Sequence, residues 1–171
     1  QRLHRENQIR PYCCSPSLRF RDSYHKVGPL QTRNKYQLLM RSPKGRILCM
    51  DDNADSRDLV RLTLMEEGYD ITCVESGREA LELVRREHFD LLIFDNWLPG
   101  LTGTEVTKLI RQFNQTTPIL FYSAAAYDWD KQAAFDAGAQ GYLIKPLDLE
   151  VLLAEVERLI IESVSVHSGG Q

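Results

Sequence analysis

Asp90-Leu91-Leu92-Ile93-Phe94-Asp95 is the stretch on which the fold turns. Its four central residues are apolar on both alternating faces, which suits a strand covered by helices on each side, as in a parallel sheet. Working outward, four similar runs appear: Ile47-Leu48-Cys49-Met50, Ile71-Thr72-Cys73-Val74, Pro118-Ile119-Leu120-Phe121-Tyr122 and Gly141-Tyr142-Leu143-Ile144. Helical segments over Ala54–Glu67, Gly77–Glu87, Thr104–Phe113, Trp129–Ala137 and Asp148–Ile161 follow the runs in turn. The third places Val106, Leu109, Ile110 and Phe113 at i, i+3, i+4 and i+7, and the fifth places Leu149, Leu152, Leu153, Val156, Leu159 and Ile160 on one stripe. Gly68 and Gly138 supply stops, and Asp148 supplies an N-cap. Repeated strand–helix units joined by right-handed crossovers predict an α/β fold, an open doubly wound parallel sheet with helices on both faces.

The 171 residues allow one ordinary domain and a tail, and 43% apolar with 26% charged residues excludes collagen-like, wholly disordered and disulfide-scaffold classes. The net charge of -3 conceals a division. Residues 1–42 hold nine basic residues against two acidic ones, a balance of +7, whereas the rest holds twelve against twenty-two, a balance of −10. Three segments follow: a basic leader without helical or strand period over 1–43, read as disordered; a globular body over 44–163; and a polar tail over 164–171. The leader reads as a linker or as translated sequence ahead of a start at Met40, in preference to a basic arm for nucleic acid or an acidic partner. An acidic body argues against a nucleic-acid groove. No apolar run approaches a membrane span or a secretory signal, so a cytoplasmic location is expected. Cys13, Cys14, Cys49 and Cys73 form no CxxC pair and have no His at metal-ligand spacing, so reduced thiols are expected.

Ligands of doubly wound sheets bind at the carboxyl ends of the strands. Those ends carry Asp51 and Asp52, then Asp95, then Ser123, then Lys145-Pro146; Glu75 and Ser76 end the second run and do not obviously join them. Three carboxylates in one crevice repel unless a cation neutralises them. A hard divalent ion is implied, and Mg²⁺ fits because it takes one or two protein carboxylates, several waters and phosphate oxygen. Lys145 and Ser123 bring the opposite polarity, suited to phosphoryl oxygens, and Asp95 then stands as a carboxylate nucleophile for phosphoryl transfer. Singly, each feature has an ordinary explanation: an N-cap, a turn, a local cap. Their joint order along five strand ends is what points to chemistry.

The segments Ile47-Leu48-Cys49-Met50-Asp51-Asp52, Asp90 to Asp95 followed by Leu98-Pro99-Gly100 and Gly103, and Gly141-Tyr142-Leu143-Ile144-Lys145-Pro146 resemble the receiver domain of bacterial response regulators, of the chemotaxis protein CheY type. The resemblance covers about residues 44–163. It implies a flavodoxin-like sheet of order 2-1-3-4-5. It further implies Asp95 as phospho-acceptor and Mg²⁺ ligand, Asp52 as direct Mg²⁺ ligand, Asp51 as the acid reaching the metal through water, and the Trp97 backbone carbonyl as another ligand. Lys145 would pair with the phosphoryl group across a bond to Pro146 that is commonly cis, with Ser123 and Tyr142 at the hydroxyl and aromatic switch positions. Trp97 is bulkier than usual and Ala125 small, both at positions that modulate dephosphorylation, while Ala124 leaves phosphate access open. Asn96 is polar where many relatives are apolar.

The implied activity is a two-component switch that carries out its own phosphoryl transfer and loss without being a turnover enzyme. A histidine kinase or phosphotransfer protein would donate, Ser123 would move toward the phosphoryl group, and Tyr142 would fill the space vacated. The surface of the fourth helix, fifth strand and fifth helix, including Tyr127 and Trp129, would then engage a protein target in trans or a second copy. A haloacid-dehalogenase-like phosphatase would need a second acid where Trp97 stands, and a nucleotide-binding enzyme would need a glycine-rich first turn where Asp51-Asp52-Asn53-Ala54 stands. A receiver fragment of a hybrid histidine kinase or multidomain regulator stays open, and a phosphorylation-independent pseudo-receiver conflicts with the complete acid, hydroxyl and lysine set.

Overall fold

The computed structural model describes residues 42–146 and 148–168, so the leader and the last residues of the chain lie outside the described residues. Five strands alternate with five helices: β1 (Arg46–Met50), α1 (Ala54–Glu66), β2 (Asp70–Val74), α2 (Gly77–Arg86), β3 (Leu91–Phe94), α3 (Gly103–Arg111), β4 (Ile119–Ser123), α4 (Asp128–Ala137), β5 (Gly141–Ile144) and α5 (Leu149–Ser168). The strands pair in parallel in the order β2-β1-β3-β4-β5. This is the doubly wound sheet expected from the alternating runs, in the flavodoxin-like order that the resemblance implies.

Because successive side chains of a strand point to opposite faces, each central strand feeds two cores. Leu48, Met50, Leu92, Phe94 and Phe121 pack with Ala80 and Val84 of α2, Val106 and Ile110 of α3, and Ala134 of α4. Ile47, Cys49, Leu91, Ile93 and Leu120 pack instead with Val60 and Leu64 of α1 and with Leu152, Val156 and Leu159 of α5. Each fully buried side chain of this size contributes about 1.5–3 kcal/mol relative to exposure. Cys49 and Cys73 are register partners across β1 and β2, and both are free thiols.

Local chemistry sets the helix starts. Asn53 accepts from Ser56 N at 2.9 Å and Ser76 from Glu79 N, and Thr102 with Glu105 forms a reciprocal capping box. Asp148 accepts from Glu150 N at 3.0 Å, as its N-cap reading requires. Gly138 ends α4 at φ 107, a left-handed conformation that glycine adopts without strain.

Two expectations need correction. α3 stops at Arg111, so Phe113 falls off the buried stripe and is 43% exposed, with the Arg85 guanidinium over its ring at 5.2 Å. Thr107 occupies a buried place on α3 instead, its hydroxyl without a hydrogen-bond partner among the described residues. The last helix also continues beyond Ile161 to Ser168, where a polar tail was expected. Arg158 pairs with Glu162 at i+4 and Ser165 Oγ donates to the Ile161 carbonyl, so polar residues extend the helix after its apolar stripe ends. Among the described residues, no helix is long and apolar enough to cross a membrane.

Candidate phosphoryl-transfer site

Strand register assembles the site. Met50 is level with Phe94, and Asp95 N donates to Met50 O at 2.8 Å, so the next residues, Asp51 and Asp95, emerge side by side. Ser123 is level with Ile144, and Lys145 N donates to Ser123 O at 2.9 Å, so Lys145 emerges beside the hydroxyl. The Lys145-Pro146 peptide bond is cis, in line with the resemblance.

Asp51 and Asp95 are buried carboxylates, 2% and 8% exposed. Lys145 Nζ bridges them, 2.5 Å from Asp51 Oδ2 and 2.6 Å from Asp95 Oδ2. Ser123 Oγ, fully buried, donates to Asp95 Oδ1 at 2.5 Å, and Trp97 N donates to the same oxygen at 3.1 Å. Asp95 is thereby held by an ammonium, a hydroxyl and a backbone amide. Burial is the largest single influence on Lys145 and works to lower its pKa; the hydrogen bonds to Asp51 and then Asp95, with their charges, outweigh it, and the net shift is upward.

Asp51, Asp95, Ser123 and Lys145 meet as the strand-end reading requires. Asp52 is exposed beside them, and the Trp97 indole stands outward at 69% exposure. Glu75 stays apart, pairing with Arg57 at 3.7 Å. Among the described residues no three acidic, His or Cys side chains close into a ready-made metal cage. The donor set nevertheless fits Mg²⁺, which needs only one or two carboxylates and draws its other ligands from water and carbonyl oxygen. With three carboxylates and one ammonium, the site also retains excess negative charge to attract a hard cation.

Several partners of Asp51 escaped the sequence reading. Asn53 N donates to Oδ1 at 2.9 Å, Ser56 Oγ to Oδ2 at 2.5 Å and Arg57 Nη1 to its carbonyl at 2.7 Å. Their signal was the Asn53 N-cap, which turns the first residues of α1 back over the end of β1. Tyr142 stacks on Phe121 at 5.8 Å, its hydroxyl donates to the Ala125 carbonyl at 2.7 Å, and burial pushes its phenol pKa up. Tyr127 and Trp129 stack on each other at 4.2 Å and are both exposed, on the solvent side of α4.

A family model described as the response regulator receiver domain matches residues 47–157. The chain belongs to the response regulator receiver family. The receiver is 36% identical over 115 residues to response regulator ArlR of Staphylococcus saprophyticus, covering 67% of this chain and 52% of that protein. The chain thus spans about half the length of the curated relatives it matches. Among solved structures, the chemotaxis response regulator CheY4 of Vibrio cholerae is 34% identical with a TM-score of 0.64, covering 67% of this chain and 97% of that one. Response regulator TrrA of Thermotoga maritima, solved in complex with Mg²⁺-BeF, is 33% identical with a TM-score of 0.62, over 67% of this chain and 97% of that one. Residues 47–157 are thus the receiver domain of a two-component response regulator.

Proposed function

We propose that this receiver accepts a phosphoryl group on Asp95 from the phosphohistidine of a histidine kinase or phosphotransfer protein. The observation that carries this reading is the Asp95 carboxylate held between the Ser123 hydroxyl and the Lys145 ammonium. One Asp95 oxygen attacks phosphorus in line, forming an O–P bond as the P–N bond breaks; the leaving imidazole nitrogen keeps the electron pair and takes up a proton. Lys145 transfers its pairing from the Asp95 carboxylate to a phosphoryl oxygen, and Ser123 donates to another. Asp51, Asp52, Asp95 and the Trp97 carbonyl would hold Mg²⁺, which when bound supplies Lewis-acid neutralisation of the phosphoryl charge.

The acyl phosphate carries up to about two negative charges where the free carboxylate carried one, and it brings three acceptor oxygens. It biases an existing equilibrium only by its differential stabilisation of one state. Ser123 and Tyr142 are the side chains suited to carry that bias to the α4-β5-α5 surface, for a protein target or a second copy. The bonds from Ser123 to Asp95 and from Tyr142 to the Ala125 carbonyl support that route from the acceptor. A second reading, a receiver segment of a longer regulator, draws support from the ArlR match over 52% of that protein.

Incubation with Mg²⁺ and a small phosphodonor tests the reading by intact mass. One added phosphoryl group, lost when Mg²⁺ is chelated, is expected. No gain would overturn it in favour of a pseudo-receiver that binds partners without phosphorylation, and a gain indifferent to chelation would overturn the role given to Mg²⁺.

A further inference from the structure

Asn96 directly follows the candidate acceptor, yet phosphoryl transfer as described gives it no task. It is half-buried, and its Oδ1 accepts from Thr104 N at 3.2 Å and from Thr104 Oγ1 at 2.8 Å. Its carbonyl accepts from Gly103 N at 3.1 Å, and its own N–H donates weakly to Ser123 Oγ at 3.4 Å. The first N–H groups of a helix have no intrahelical acceptor. In α3 those of Gly103 and Thr104 are both satisfied by Asn96, and that of Glu105 by Thr102. The segment between Asn96 and Gly103 is therefore a closed loop stitched at its base. Its contact at Gly103 is close enough that a Cβ there would stand 2.2 Å from the Asp95 carbonyl.

Trp97 is the first residue inside that loop, and its N–H already points to Asp95. We infer that Asn96 is a positioning residue, whose side chain fixes the loop so that the Trp97 carbonyl is held toward the metal position before the ion arrives. This rests on the Mg²⁺ site proposed above. An apolar side chain of similar size could still fill the space, but it would leave the Thr104 donors unpartnered and let the Trp97 peptide reorient. Groups that orient a ligand in this way typically contribute tenfold or more to metal affinity.

The test uses Mn²⁺ as the probe, with the free-ion electron paramagnetic resonance signal measuring binding to the full chain, and Mg²⁺ as competitor. Asn96→Leu is expected to weaken Mn²⁺ binding about tenfold, Thr104→Val to weaken it by a smaller factor, and Thr104→Ser to bind as the parent does. Thr104→Val keeps the test decisive if Asn96→Leu does not fold. If Asn96→Leu and Thr104→Val lower thermal stability but bind Mn²⁺ like the parent, Asn96 is merely structural and the inference fails. An Asp52→Ala control separates the two levels. Parent protein that binds no Mn²⁺, or binding indifferent to Asp52→Ala, overturns the metal site and this inference with it. Asp52-dependent binding unaffected by Asn96→Leu overturns the inference alone.

Discussion

Lys145 Nζ lies 2.6 Å from Asp95 Oδ2, joining side chains fifty residues apart in the sequence, and the same ammonium reaches Asp51 at 2.5 Å. The side chains are 16%, 10% and 4% exposed, so little solvent screens the two carboxylates from each other without that ammonium. Lys145→Met is expected to destabilise the fold by roughly 3–5 kcal/mol, the usual cost of removing one partner from a buried ion pair. Urea unfolding measures it, and added Mg²⁺ should recover part of the loss. An unchanged midpoint would mean that the ammonium does not neutralise this pair.

Ser123 bears on rate more than on stability. Ser123→Ala removes the hydroxyl from Asp95 and from an incoming phosphoryl oxygen, and phosphorylation by a small phosphodonor should slow about a hundredfold, as for loss of one preorganised donor. Ser123→Thr keeps the hydroxyl and should retain a rate near that of the parent. Equal slowing in both variants would point to packing instead of the hydrogen bond.

Gly103 is constrained by contact, with no positive φ involved. A Cβ at this position would sit 2.2 Å from the Asp95 carbonyl and 3.0 Å from the Phe121 ring, and the carbonyl belongs to backbone that cannot swing aside. Gly103→Ala should cost about 1–3 kcal/mol or more and slow phosphorylation, because the displaced backbone carries the acceptor. Chemical denaturation and the phosphorylation rate check the two effects separately.

The α3 capping box makes an acid-dependent contribution. The Thr102 backbone N–H, then its hydroxyl, hold the exposed Glu105 carboxyl below its ordinary value. The depressed pKa means that the stabilisation is present above the ordinary carboxylate range and is lost as pH falls through the folded-state value. Glu105→Gln keeps an acceptor that does not titrate. The stability difference between parent and variant at neutral pH should therefore disappear in acid, as followed by urea midpoints from about pH 6 to about pH 3, spanning the ordinary Glu range. A difference constant over that interval would contradict the capping role of the charge.

The fold and the core of the site were legible because their determinants are periodic or adjacent to something periodic. Leu91 to Phe94 and the other apolar runs mark the strands, and a residue next to a strand end is carried to the crevice by register alone, as Asp51, Asp95 and Lys145 are. Contacts that depend on loop path were not legible. Ser56 reaches Asp51 only because Asn53 turns the chain, and Asn96 reaches Thr104 only because the intervening residues close on themselves. Phe113 fitted the helical spacing but lies past the point where α3 ends. Glu162 to Ser168 lacks an apolar stripe, yet it continues the helix through i+4 pairing. The Tyr142 hydroxyl meets the Ala125 carbonyl through the path of the loop after β4, which spacing along the chain does not reveal.

The site of modification is the most direct measure of the central claim. After phosphorylation with Mg²⁺ and a small phosphodonor, borohydride reduces an acyl phosphate to the corresponding alcohol, and tandem mass spectrometry of the tryptic peptides spanning residues 47–57 and 87–108 locates the reduced carboxylate. The arrangement of Lys145, Ser123 and Asp95 predicts reduction at Asp95 alone, with none in Asp95→Asn. Reduction at Asp51, Asp52 or Asp90, or a phosphoryl group that persists in Asp95→Asn, would contradict it.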